Sequence, residues 1–464
     1  MVFSSAVFLW LFLPIVFIVN LIIPKKWSNI FLLLASLLFY AWGEPVNVLL
    51  MLFTIFLNWL VGIGIRKYEK YSKCILIVGV VCDVAILGYF KYMNFFVNTI
   101  NTVFGGEVVP QTHILLPIGI SFFTFQAISY IVDVYRKDTE PSGSFVNVAL
   151  YIAYFPQLIA GPIVKYKEIN KQIEKRTITR EGIAEGFRRF IYGLGKKVII
   201  ANILGKSTDM IFDLPIDQVG FAAAWIGIIF DVTRLYYDFS GYSDMAIGMG
   251  KMFGFDIPEN FDYPYLSKSV TEIWRRWHIS LGTWFREYVY IPLGGSKRGE
   301  VRTCINLLIM FILTGFWHGA SFSFLAFGLM HGIVMVIERR GFKKVLDKMK
   351  VFPHIYTLLV WYYAYALFRI NNIPRVVEWW GKMTAFWKIN PNAMPVGRYM
   401  NSISWFMAVI SILGMGILQK AVPEKIRNKW KFSILEWIYL VGVLILSMSL
   451  IAGDTYNPFI YFQF

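Results

Sequence analysis

Apolar segments of about twenty residues recur along the whole chain, and many of the short stretches between them carry lysine and arginine. Such a segment is stable across a bilayer as a helix, because a helix satisfies its own backbone N–H and C=O groups where no water can. Composition agrees. Hydrophobic residues make up 57% and charged residues 16% of the 464 positions, against about a quarter charged in an ordinary soluble chain. The expected fold class is an all-α polytopic membrane protein, a single transmembrane domain over residues 1–464 with no separate soluble domain.

The formal net charge of +16 does not point to nucleic acid, because the basic residues lie in short runs between apolar segments rather than on one surface. Lys25-Lys26, Arg66 to Lys73, Tyr135-Arg136-Lys137, Lys165 to Arg180, Arg339 to Lys350 and Lys425 to Lys431 fit one cytoplasmic face. Both termini are then expected outside. Val2 to Ile23 lacks the basic start of a cleaved signal peptide and is expected as a retained first helix. Further spans are expected at Ile30 to Trp42, Val46 to Ile65, Cys74 to about Ile100, and Leu115 to Val134. Cys74, Cys82 and Cys304 show no metal spacing or paired framework and read as small core residues.

Several segments depart from simple spans. Tyr151 to Ile163 carries Pro156, Gly161 and Pro162 inside an apolar run, which reads as a re-entrant turn lining a cavity. Between Ala222 and Phe255, the charges Asp231, Arg234 and Asp238 share a helix face and are expected to pair, with Asp244 further along. Asp83 and Lys91 invite the same explanation. From Thr271 to Tyr290, Trp274, Trp277, Leu281, Trp284, Phe285 and Tyr288 recur every three or four residues among arginines, the pattern of an amphipathic helix at the interface or along a cavity.

Titratable rings at membrane depth are costly, and this chain has one in the string Leu313 to Ala320, at His318. Basic runs on both sides, Lys297 to Arg302 and Glu338 to Lys350, require the segment to turn near His318 or to hold it between two short crossings. Gly315 and Gly319 allow close helix approach beside it, and Trp317 could wall an acyl donor. His278 lies in the amphipathic segment, where an interfacial structural role competes with catalysis. His331 reads as structural, and His113 and His354 have no evident partners. Soluble hydrolase, zinc-protease, phosphate-loop and soluble glycerolipid acyltransferase motifs are missing. A neutral imidazole can instead take a hydroxyl proton as that oxygen attacks a thioester, with no metal or covalent intermediate required.

These residues resemble the membrane-bound O-acyltransferases, in particular the bacterial branch that includes the alginate O-acetyltransferase membrane component. The likeness runs from Val2 to Ser5 through Leu116 to Gln126, Tyr154 to Ile163, Tyr237 to Gly248 and Phe253 to Phe261. It continues with Trp274 to Leu281, Tyr290 to Gly295, the triplet Trp317-His318-Gly319 and the closing Tyr456 to Phe462. The resemblance implies that His318 is the catalytic histidine and that His278 lies in a second histidine motif. It implies a ring of about eleven or more helices, with re-entrant and interfacial pieces, around a tunnel. It further implies passage of an acyl group, expected to be acetyl, from a cytoplasmic thioester such as acetyl coenzyme A or an acyl carrier. The acceptor would be an extracytoplasmic partner or polysaccharide.

Candidates for the donor path are Trp317, Asp238 and Asp244, with Arg275 and Arg276 either attracting an anionic donor or anchoring the interface. Two other readings stay open. The family's second bacterial branch moves D-alanine from a carrier protein to teichoic acid, and a glycan-precursor transporter would use Asp231, Arg234 and Asp238 as a coupling site.

Overall fold

The computed structural model describes residues 1–453 and residue 459. Helices account for all the regular structure among these residues, apart from one isolated antiparallel bridge between Phe261 and Trp277. Among the described residues, five helices are long and apolar enough to cross a membrane: Asn47–Lys67, Glu69–Phe104, Glu300–His318, Phe322–Leu346 and Ile434–Gly453. Phe8–Ile22, Ile120–Tyr135 and Ser402–Gly414 are shorter apolar helices. The polytopic all-helical class therefore stands. Except for Phe459, the closing string Tyr456 to Phe462 and the C-terminal tail lie outside the described residues.

The described chain groups into two compact units. The first comprises residues 1–190 and 243–259. Its opening apolar helix is shorter than expected, because Ser5 Oγ accepts the Phe8 N–H and holds the first residues in a turn. There follow α1 (Lys25–Ala41), α2 (Asn47–Lys67), α3 (Ser72–Leu87), which continues through a π-helical turn into Met93–Phe104, α4 (Ile120–Tyr135) and α5 (Phe145–Ala153).

The expected span from Leu115 begins only at Ile120, because Gly119 turns the chain at φ +76° against the Leu158 carbonyl. The break at Tyr151 to Ile163 is real: α5 ends at Ala153, a single turn spans Phe155–Leu158, and the segment is buried throughout. Asp83 and Lys91 engage neutral side chains, since Asn58 donates to Asp83 at 2.9 Å and Lys91 donates to Ser121 at 3.1 Å.

The second unit comprises residues 191–242 and 260–464. Its first long element, α6 (Phe221–Met252), runs on into the first unit after Tyr242. The expected triad on this helix is split. Asp231 meets Arg234 at 3.2 Å but also accepts from Thr208, Tyr365 and Arg369. Asp238 instead pairs with Lys197 at 2.7 Å, deep in the unit. Seven residues along a helix separate Asp231 from Asp238, two turns, so each faces a different neighbouring segment. Arg369 and Asp209, themselves 2.7 Å apart, complete the first cluster and carry no local sequence signal.

Downstream lie α7 (Val270–Arg276), α8 (Ile279–Phe285), α9 (Glu300–His318), α10 (Phe322–Ile337) and α11 (Phe352–Ile370). The 271–290 segment is therefore two short helices and a π-helical turn, Arg286–Tyr290, rather than one amphipathic helix. Cys74 is exposed, contrary to a core role, while Cys304 is buried.

Candidate active site

The chain turns immediately after His318, at Gly319 to Ser321, so α9 and α10 form a hairpin with the imidazole at its apex. Two glycines set how closely the arms approach. A Cβ on Gly315 would collide with the Phe324 carbonyl and the Gly328 Cα, and a Cβ on Gly328 with the Phe311 carbonyl. Ser321 caps α10 by accepting the Phe324 N–H, which makes the turn sharp. The His318 ring is only 5% exposed and lies 5.0 Å from Trp317, 5.9 Å from Phe327 and 5.3 Å from Phe368, centroid to centroid.

A second imidazole also adjoins Trp317. The His278 ring is 5.9 Å from Trp317 and packs edge-on against Phe239 at 4.7 Å. Its placement comes from a backbone break that helical periodicity hides. Residues 260–262 run antiparallel to 276–279: Asp262 N donates to Arg276 O and Ile279 N to Asn260 O, and Phe261 bridges Trp277. This pairing draws Trp277 out of the helix and puts His278 at φ +47°, a left-handed conformation unusual for a histidine.

Asn260 then fixes the ring. Its Oδ1 accepts from Ser280 N at 3.1 Å and Ser280 Oγ at 2.9 Å, and lies 3.2 Å from His278 Nδ1. A backbone N–H can only donate, so this oxygen is an acceptor, His278 donates from Nδ1, and its Nε2 carries the lone pair. Burial holds the His278 pKa well below its ordinary value, and the nearby His318 lowers it further. His278 is therefore a neutral base. Asn260 lies within the Phe253 to Phe261 stretch, but no local sequence signal marks its side chain as a histidine partner.

A cleft of about 1150 Å3 is lined from α7, α8, α9 and the end of α10, with Ile279, next to His278 in the chain, among its residues. Arg275, Arg286, Lys297, Arg298, Arg339 and Lys343 line it, and no carboxylate does. Its rim is the Gly294-Gly295 turn, with positive φ at both glycines, held from below by Asn306, which donates to the Gly295 carbonyl at 3.0 Å. Inward the lining becomes apolar, with Leu307, Met310, Phe311 and Trp274, and reaches Thr314. Thr314 precedes His318 by four residues on α9, one helical turn on the same face. The buried Glu338 carboxylate anchors the Trp274 helix by accepting from Val270 N at 2.6 Å and Thr271 N at 2.9 Å.

Of the sequence candidates, His318, His278 and Trp317 come together, and Arg275 lines the cleft. Arg276 does not. It is held by Glu272 at 2.9 Å and Asp262 at 3.4 Å. Asp238 is tied to Lys197, and Asp244 belongs to the first unit, where Arg189 binds it at 2.6 Å and Glu259 as well. His354 has a partner after all, the Ser267 carbonyl at 3.2 Å.

The sequence model of the membrane-bound O-acyltransferase family matches residues 141–377, which contain both imidazoles and every cation of the cleft. Over the full length of both chains, the sequence is 38% identical to the probable alginate O-acetylase AlgI of Pseudomonas putida. The chain belongs to the membrane-bound O-acyltransferase family. It is thus an O-acyltransferase, a multi-pass membrane enzyme of bacterial type. Another relative, the peptidoglycan O-acetyltransferase of Helicobacter pylori, is 30% identical over all of this chain and 98% of its own. The teichoic acid D-alanyltransferase of Bacillus subtilis is 28% identical over 53% of this chain and 64% of its own.

Proposed function

We propose that this O-acyltransferase moves an acetyl group from a cytoplasmic thioester to a hydroxyl of a cell-surface or secreted polysaccharide. The observation that carries this reading is the basic cleft, whose apolar inner end reaches within one helical turn of His318. Six cations at its mouth suit the phosphates of coenzyme A or of a carrier-borne phosphopantetheine arm, and the apolar interior suits the arm itself. His318 takes the proton of the acceptor hydroxyl as its oxygen attacks the thioester carbonyl. A new C–O bond forms, the C–S bond breaks, and the departing thiolate receives the proton. His278, held neutral by burial, keeps a second positive charge away from His318.

The acetyl identity and the polysaccharide acceptor rest on full-length similarity to relatives named for O-acetylation of alginate and peptidoglycan. The basic runs support cytoplasmic placement of the donor cleft and extracytoplasmic termini in the cell membrane, with an extracytoplasmic acyltransferase or the glycan itself as receiver. A ring of about eleven or more helices around a tunnel, forming one domain over residues 1–464, fits this path.

The test is mass spectrometry of surface glycans from a deletion strain carrying either the parent gene or His318→Ala. O-acetyl groups should return only with the parent. Their return with a membrane-inserted, folded His318→Ala protein would refute the role of His318, and loss of D-alanyl rather than acetyl groups in the deletion strain would refute the acetyl assignment.

A further inference from the structure

The buried charges on α6 take no part in the proposed acyl transfer, yet one of them leads to His318. Asp231 is fully buried. One of its oxygens, Oδ1, accepts from Thr208 at 2.9 Å and pairs with Arg234 at 3.2 Å. The other, Oδ2, accepts from the Tyr365 hydroxyl at 2.8 Å and pairs with Arg369 at 2.9 Å. Tyr365 and Arg369 are four residues apart near the end of α11 and so share a helix face. A single carboxylate oxygen thus grips both ends of the last turn of α11.

Phe368 lies within that turn. Its ring is stacked on Tyr365, with centroids 5.8 Å apart and planes at 19°, and meets the His318 ring at 5.3 Å and 77°. It also packs against Phe324 at 5.3 Å and Phe327 at 5.6 Å. Trp317 and Phe327, which meet His318 as well, belong to the hairpin that carries it, whereas Phe368 comes from a third helix. Beyond the end of α11, Asn371 Oδ1 accepts from Ser321 in the turn after His318, which ties the two elements together at this level.

We infer that Asp231, acting through Tyr365 and Phe368, positions the His318 imidazole for proton transfer. This rests on the reading of His318 as the base. An imidazole takes a proton only when its lone pair points along the incoming O–H, and a displacement of about 1 Å costs on the order of a hundredfold in rate. Apolar packing is non-directional and does not by itself fix the rotation of α11 about its axis. Successive residues on a helix are about 100° apart, so a small rotation of α11 would take Phe368 off the imidazole. The charge-assisted hydrogen bond from Tyr365 supplies the missing direction. Asp209 pairs with Arg234 at 2.5 Å and with Arg369 at 2.7 Å, so two carboxylates meet two arginines and the anchor is balanced in the interior. Tyr365 is a positioning residue.

The test separates positioning from stability. In the deletion strain, incorporation of labelled acetate into surface glycan is followed at matched levels of folded, membrane-inserted protein. Tyr365→Phe removes the hydroxyl but keeps the stacked ring, and should slow incorporation about tenfold. Phe368→Leu should slow it at least as much. The double variant should be no slower than Phe368→Leu, because the hydroxyl acts through that ring. Ser207→Ala breaks another buried hydrogen bond of the second unit, to Ser404. It should lower the melting temperature as Tyr365→Phe does while leaving the rate at the parent level. Nitrogen-15 NMR of histidine-labelled protein in nanodiscs reads the ring itself. The His318 signals, assigned by their loss in His318→Gln, should broaden or split in Tyr365→Phe and match the parent in Ser207→Ala.

Equal rates in Tyr365→Phe and Ser207→Ala, or single effects that multiply in the double variant, would overturn the proposal and leave Asp231 as a structural anchor. Unchanged His318 signals in Tyr365→Phe would do the same. Arg369→Lys, which keeps the charge but loses the planar fork, puts the other arm of the clamp to the same outcomes should Tyr365→Phe fail to accumulate. The reading of His318 fails separately if His318→Ala still acetylates the glycan, whatever the Tyr365 variant does.

Discussion

Asn260 and His278, eighteen residues apart in sequence, are joined at 3.2 Å through an oxygen that also accepts twice from Ser280. One carboxamide thereby sets the tautomer of an imidazole and anchors the break that aims it. Asn260→Ala should leave the Ser280 N–H and His278 Nδ1–H bare, at roughly 1–3 kcal/mol for each buried group. Turnover should fall by about tenfold or more, whereas Asn260→Asp, which keeps the accepting oxygen, should retain more activity. Acetyl transfer by purified protein in nanodiscs checks this order, and equal loss in both variants would contradict it.

The depressed His278 pKa makes stability depend on pH. The unfolded chain binds a proton below about 6.5, while the folded imidazole stays neutral to lower pH. Between the two values the unfolded state holds more protons, so stability rises with pH through that window and is lost as pH falls below about 6.5. Thermal unfolding in detergent at a series of pH values should show this slope, and His278→Gln should flatten it. An unchanged slope in the variant would assign the effect to another group.

Gly315 and Gly328 bring two helices into backbone contact at the hairpin that carries the His318 imidazole. Gly315→Ala should cost about 1–3 kcal/mol through overpacking and move His318, lowering both thermal stability and kcat. Gly381→Ala, where an added methyl meets nothing, should be silent. Comparable melting temperatures for the two variants would show that the close approach is not required.

Lys297 and Arg298 belong to the mouth of the cleft rather than its end. Reversing both, Lys297→Glu with Arg298→Glu, should raise KM for the thioester by about tenfold or more with little change in kcat, because these cations act on binding. Added salt should weaken donor binding by the parent and narrow the gap. A fall in kcat at constant KM would place these residues in the chemistry instead.

The splitting of Asp238 from Asp231 and Arg234 is also measurable. Asp238→Asn leaves Lys197 buried beside a neutral amide and should destabilise by about 3–5 kcal/mol, whereas Lys197→Met with Asp238→Leu should recover much of that loss. Melting temperatures of the single and double variants decide it.

The sequence made the spans legible because apolar length is a local property, and the same holds for the turn at His318, forced by basic runs on both sides. The site was only partly legible. The 271–290 stretch has helical periodicity throughout, yet backbone pairing with residues 260–262 overrides it and turns His278 inward. The cleft is assembled from cations on α7, the Arg286 turn, the Lys297 loop and the end of α10, so no single run announced it. Asp238 carried the right chemistry but met Lys197 from another segment, because helix-face spacing names possible partners and packing chooses among them.

The glycine contact between α9 and α10 also bears on the lipid around the enzyme. With backbone against backbone and no long side chains between, the two arms have little room to slide past one another. A thinner or thicker bilayer is then accommodated by tilting the hairpin as one piece, carrying His318 and Phe327 together. The spacing of His318 and Phe327 is thereby insulated from membrane thickness, so the hairpin keeps its buried rings aligned while the bilayer changes about it.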